Sequence, residues 1–171
     1  MRHRFSLGLL ALALIAFARP ASAQQHSPMS AQEVERSARA FMQTVSHDVT
    51  QQGPTAWRKF FSHGPRFFMA SGGHLVFPDY PSADKAINNL AATIKHIDLT
   101  WGSDVRVDPL SPTLAVVATP WHEVRTMASG RVDDSGFFTG TVEYMDGRWQ
   151  FRDVHWSVAG PAEAKAKPVT Q

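Results

Sequence analysis

The residues whose types and spacing could do chemistry lie near the end of the chain, where Asp153, His155 and Ser157 alternate within FFTGTVEYMDGRWQFRDVHWSV, residues 137–158. On a strand, residues two apart point the same way, so a carboxylate and an imidazole at 153 and 155 would share one face. A carboxylate that orients an imidazole, or two such groups with pKa values pushed apart by an apolar pocket, suits general acid and base work, and makes Asp153 and His155 the candidate catalytic pair. The alternative is that Asp153 pairs with an arginine and His155 bonds a backbone carbonyl, closing the end of the core. Ser157 reads as a strand-end hydroxyl in place of a nucleophile.

Other chemistry is less well supplied. His122-Glu123 opens like a zinc-protease motif, but Thr126 stands where the second histidine would be and the segment reads as strand. A looser set of His122, Asp153 and His155 could hold a divalent ion from neighbouring strands, although no metal is expected. The chain has no Gly-x-Ser-x-Gly elbow, phosphate loop or dinucleotide fingerprint, so no cofactor is implied.

The element that must position these residues is a hairpin. Asp146-Gly147 between two runs of aromatic and β-branched residues is a strong turn signal, since both turn residues must reach positive φ. Uniform alternation from that turn places Tyr144 opposite Trp149, and puts Phe138, Gly140, Val142 and Tyr144 on one face with Trp149, Phe151, Asp153, His155 and Ser157. The candidate ligand-binding residues are therefore Tyr144, Trp149, Trp101, His122, Phe138 and Ser157, aromatic walls with a few polar groups.

Residues 1–23 open with Arg2, His3 and Arg4, continue as an apolar run over 7–18, and end Ala21-Ser22-Ala23, the pattern of a cleaved secretory signal. The expected location is periplasmic or secreted, with no membrane association after cleavage. The absence of cysteine leaves the core, not disulfides, to supply stability. The pI of about 9.2 misleads. Three of the 17 Lys and Arg leave with the signal and all 15 Asp and Glu stay, so the mature balance of −1 gives no footprint for nucleic acid.

What remains is one domain, residues 30–159, between a flexible stretch 24–29 and a small, polar, Pro-containing tail 160–171 expected to be disordered. Ser30 and Glu33 form a capping box ahead of an apolar stripe, Val34, Ala38, Phe41, Met42, Val45 and Val49, of helical period. Pro54 starts a short helix carrying Trp57, Phe60 and Phe61. Residues 66–70 and 74–77 make a compact hairpin around Ser71-Gly72-Gly73, and Ser82 caps a helix running to about Ile97. Strands follow at 99–107 and 113–125, the latter with a bulge or an edge at Pro120, and residues 127–134 form a loop.

Helices first and long strands after argue an α+β fold, with helices laid on one face of a curved antiparallel sheet. Val154, Trp156 and Val158 fall on the other face under this register, an apolar surface that suggests a homodimer through the sheet.

The element order, ending in Asp146-Gly147-Arg148-Trp149-Gln150-Phe151-Arg152-Asp153-Val154-His155-Trp156-Ser157, resembles the SnoaL-like branch of the nuclear transport factor 2-like superfamily over roughly residues 31–158. In that branch the last strand runs Gly, any residue, Trp, basic, aliphatic, and ends in His, any residue, Ser. The resemblance implies a cone-shaped half-barrel with a pocket between sheet and helices, often dimeric, and places Trp149, Phe151, Asp153, His155 and Ser157 facing the cone. The superfamily includes ketosteroid isomerases, polyketide cyclases, dehydratases and epoxide hydrolases. The isomerase pattern wants a carboxylate on the early hairpin, yet residues 66–77 contain no Asp or Glu. The function expected is binding of a small, largely apolar or aromatic molecule. The alternatives are a lyase, isomerase or cyclase using an Asp or His base, and a non-catalytic dimeric interaction module.

Overall fold

The computed structural model describes residues 28–159. The signal 1–23 and the tail 160–171 fall outside the described residues, as does most of 24–29.

The first helix, α1 (Ala31–Gln52), starts as the sequence predicts: the Ser30 hydroxyl accepts from the Glu33 amide, and the Glu33 carboxylate accepts from the Ser30 amide at 2.8 Å. Its buried residues are the predicted stripe, Val34 to Val49. A 3-10 helix, Gly53–Lys59, follows with Pro54 in its first turn, and buries Trp57. The compact hairpin is β1 (Phe68–Ser71) and β2 (His74–Phe77), turned at Gly72 and Gly73, both at positive φ.

The second helix, α2 (Tyr80–Thr93), differs from expectation at both ends. Its cap is Asp79, whose side chain accepts from the Ser82 amide at 2.8 Å, and Ser82 itself lies inside the first turn. The helix stops at Thr93, because from Ile94 the buried positions Ile94, Ile97 and Leu99 belong to strand β3 (Ile94–Trp101).

The remaining strands are β4 (Arg106–Ser111), β5 (Leu114–Met127), β6 (Gly130–Met145) and β7 (Arg148–Val158). Residues 127–134, expected as a loop, extend β5 and β6 around a tight turn. Together the strands form one curved, unclosed seven-stranded sheet in the order β2-β1-β7-β6-β5-β3, with β4 also on β5. One pair is parallel, β1 with β7, which the antiparallel expectation did not include. Pro120 sits at a local edge: its carbonyl accepts from the Gly102 amide in the gap between β3 and β4, the side on which its missing N–H would have pointed.

The turn of the last hairpin is as predicted, Asp146 at φ 52° and Gly147 at φ 79°, with Tyr144 opposite Trp149. The uniform alternation then fails. Val142 pairs with Phe151 but Thr141 pairs with Asp153, so Arg152 is an extra residue in β7. Such a β-bulge exchanges the faces of everything beyond it. Trp149 and Phe151 are buried in the core before the bulge, and Val154 (1% exposed) is buried after it, with Trp156 packed against the same cluster. The Trp156 ring meets Phe138, Trp121, Trp57 and Trp101 at centroid distances of 4.8 to 5.9 Å.

Two corrections follow. Asp153, His155 and Ser157 are on the convex side of the sheet, and Val154 and Trp156, whose supposed outward position suggested a dimer, are inside.

Gly136 makes the close approach that seals this end of the sheet. A Cβ there would stand 1.8 Å from the Ser157 carbonyl oxygen, and the Trp121 indole reaches past it to donate to that oxygen at 3.2 Å. Gly136→Ala is expected to destabilise the domain by about 2–4 kcal/mol. Deleting Arg152 is expected to cost less than Gly136→Ala, because the shortened strand alternates uniformly and keeps Phe151, Val154 and Trp156 inside with Asp153 and His155 outside. Thermal denaturation followed by near-ultraviolet circular dichroism measures both.

Candidate active site in the cone

The bulge decides which residues meet inside. Between the sheet and the helical side lies a cavity of about 210 Å³. Its walls are mostly apolar, including Trp57 and Phe61 near the 3-10 helix, Ile87 and Leu90 on α2, Ile97 on β3, and Trp121 and Trp156 on the long strands. The rings are held by specific bonds: Trp57 stacks on Phe61 at 5.4 Å, and Trp121 is pinned through its indole N–H.

One corner of the cavity is charged. Glu123 and Arg125 alternate along β5 on the same face as Trp121, and Asp134 on β6 lies directly opposite Glu123. Arg125 donates through one terminal nitrogen to Asp134 in a tight ion pair. Its Nε lies 3.1 Å from Glu123 Oε1, close enough for charge attraction but not aligned for a hydrogen bond, so the buried Nε–H is left without an acceptor. The Glu123 side chain is 14% exposed, and among the described residues nothing donates a hydrogen bond to its carboxylate.

Burial among apolar walls therefore pushes the Glu123 carboxyl above its ordinary value of 4.5; Arg125 pulls it down and Asp134 pushes it up again, with burial the larger influence. A carboxyl whose proton affinity is raised in this way, placed at a cavity wall, suits acid or base work, and Arg125 fixes Asp134 beside it.

The sequence-predicted residues are scattered relative to this cavity. Asp153 accepts from the Thr141 hydroxyl at 3.0 Å on the convex face, and His155 is exposed beside it, opposite Thr139. Ser157 donates to the Phe137 carbonyl, which is the strand-end role expected of it. His122 also points outward, its Nε2 2.7 Å from Asp133 Oδ1. No group of three or more His, Cys, Asp or Glu among the described residues is placed to hold a metal, and that holds for His122, Asp153 and His155.

Of the aromatics, Phe138 is wholly buried and backs the cavity through Trp156, while Trp101 donates to the Met42 carbonyl at 2.7 Å. Trp149 donates to Ser37 Oγ at 3.0 Å and packs on Tyr144 at the turn end of the hairpin. These four are core, not cavity lining.

Glu123, Arg125 and Asp134 were missed for two reasons. Apolar residues occupy both phases of the segment 113–119, which hides the face of β5, and the composition of 127–134 suggests a loop around Asp134. A signal was present in Trp121-x-Glu123-x-Arg125, where the phase of a buried indole carries two charges.

No family profile matches the sequence, and no curated protein matches it. Solved structures do match in fold. A candidate scytalone dehydratase from Novosphingobium aromaticivorans superposes with a TM-score of 0.62 at 16% identity, over 73% of this chain and 83% of that one. A nuclear transport factor 2-like superfamily protein from Salmonella enterica gives 0.60 at 13% identity, over 80% and 96%. A type 2 hexachlorocyclohexane dehydrochlorinase gives 0.54 at 14% identity, over 69% and 82%. The chain thus has the nuclear transport factor 2-like fold that its element order resembled, a fold shared by enzymes and by proteins without an assigned reaction.

Because the folded state holds the Glu123 proton more firmly than the unfolded chain, the stability this group lends is complete below pH 4.5 and is lost as pH rises through its raised folded value. Glu123→Gln is therefore expected to melt above the unsubstituted protein at pH 7, with the advantage disappearing below pH 4.5. Parallel thermal melts across that range test the sign.

Proposed function

We propose that this is an exported protein that binds a small, largely apolar molecule inside the cone, with Glu123, Arg125 and Asp134 as the polar end of the site. The observation that carries this reading is the cavity itself: aromatic and aliphatic walls converge on one charged corner, the usual composition of a ligand pocket. Its size supports a small occupant, since a dry cavity of about 150 Å³ accepts benzene. Export is supported by the sequence of residues 1–23 alone.

A second reading, an acid–base enzyme, draws on the Glu123 carboxylate, which faces the cavity without a hydrogen-bond donor among the described residues. Two proteins of similar fold bear the names of a dehydratase and a dehydrochlorinase, and both names denote eliminations, in which a base takes a proton as a neighbouring group leaves. Glu123 would be that base here, in place of the Asp153 and His155 expected from sequence.

Toluene and naphthalene serve as probes of the binding reading. Both are expected to shift the Trp57 and Trp121 indole resonances in 1H-15N spectra. Leu90→Trp, which fills the cavity mouth from α2, is expected to reduce those shifts at least about fivefold while leaving the melting temperature within a few degrees. Shifts that persist unchanged in Leu90→Trp would place the probes elsewhere and remove the basis for the reading.

A further inference from the structure

The charged corner also restricts what the occupant can be. Two carboxylates face one guanidinium, so the corner carries an excess of negative charge: one terminal nitrogen of Arg125 donates to Asp134, and its Nε lies beside Glu123 without a hydrogen bond. An incoming anion would meet a corner whose carboxylates outnumber its one guanidinium, and the other cavity residues include no Lys, Arg or His. The Glu123 carboxylate faces the cavity with no hydrogen-bond donor among the described residues, and is an open acceptor there. A buried acceptor without a donor is costly, and a ligand that supplies one recovers that cost on binding.

Resting on the cavity reading above, we infer that the ligand is a compact ring compound bearing a hydrogen-bond donor, an O–H or N–H group that reaches Glu123, and that carboxylates and other anions are rejected. The ring lies among Trp57, Phe61, Trp121 and Trp156, whose faces supply stacking and, for an ammonium, cation–π attraction. The volume fits one substituted ring or two fused ones.

The test uses the protein from residue 24 onward and four probes of nearly one size: toluene, benzyl alcohol, benzylamine and benzoate, titrated by calorimetry with displacement of naphthalene as the readout for weak binders. At least one donor probe is expected to bind about tenfold or more tighter than benzoate. Benzylamine ahead of benzyl alcohol assigns a cationic ligand, and the reverse order a neutral one. Glu123→Leu is expected to collapse the donor preference to within about threefold while toluene still binds, and Glu123→Gln, which keeps the volume, is expected to weaken benzylamine more than benzyl alcohol.

Benzoate binding as tightly as both donor probes overturns the inference and leaves the cavity reading standing. Failure of all four probes, toluene included, overturns the cavity reading and the inference with it.

Discussion

One extra residue, Arg152, governs which side chains of the last strand are inside. Before it the inward positions are odd-numbered, Trp149 and Phe151; after it they are even-numbered, Val154 and Trp156. The bulge lets a single strand serve two regions of the domain. Its first half packs Trp149 against α1 and Phe151 against Phe41, and its second half swings Trp156 into the ring cluster that backs the cavity. Without that phase change the cone would be lined at its mouth by Asp153 and His155, and the apolar chamber would not exist.

The charged corner depends on the same geometry from the other side. Glu123 and Asp134 face each other across β5 and β6, close to the paired termini of those strands, and Arg125 joins them. Removing a buried charge from water is expensive, so clustering three of them with only partial satisfaction is a poor way to gain stability. Local frustration of this kind is what a fold tolerates where a ligand completes the set, and the surrounding apolar walls raise the energetic value of each contact a ligand makes there.

Much of the architecture was legible in the sequence because its signals are local. The capping box at Ser30 and Glu33, the apolar stripe of α1, the Gly72-Gly73 turn and the Asp146-Gly147 turn each depend on residues within a few positions of one another. The face of β7 was not legible by alternation alone. Its clue was a deficit: uniform alternation left Val154, Trp156 and Val158 on solvent, an apolar outer surface better explained by a shift in phase between Phe151 and Val154 than by a partner subunit. The end of α2 was obscured because Ile94 and Ile97 satisfy helical spacing as well as the start of a strand. The corner of the cavity needed cross-strand register, which no local pattern supplies: Asp134 meets Glu123 only once the turn between β5 and β6 is known to be tight.

The parallel pairing of β1 with β7 has a consequence for how the chain reaches its native state. Phe68 to Ser71 hydrogen-bonds to Asp153 to Trp156, and Phe61 bridges to Phe151, so the early hairpin is tied to the sheet only by the final strand. Loop closure over that separation is slow, and the floor of the chamber waits on the last segment to be synthesised. A nascent chain halted before residue 148 therefore already holds the strands β3 to β6, but its early hairpin has no strand to pair with and the chamber stays open on that side.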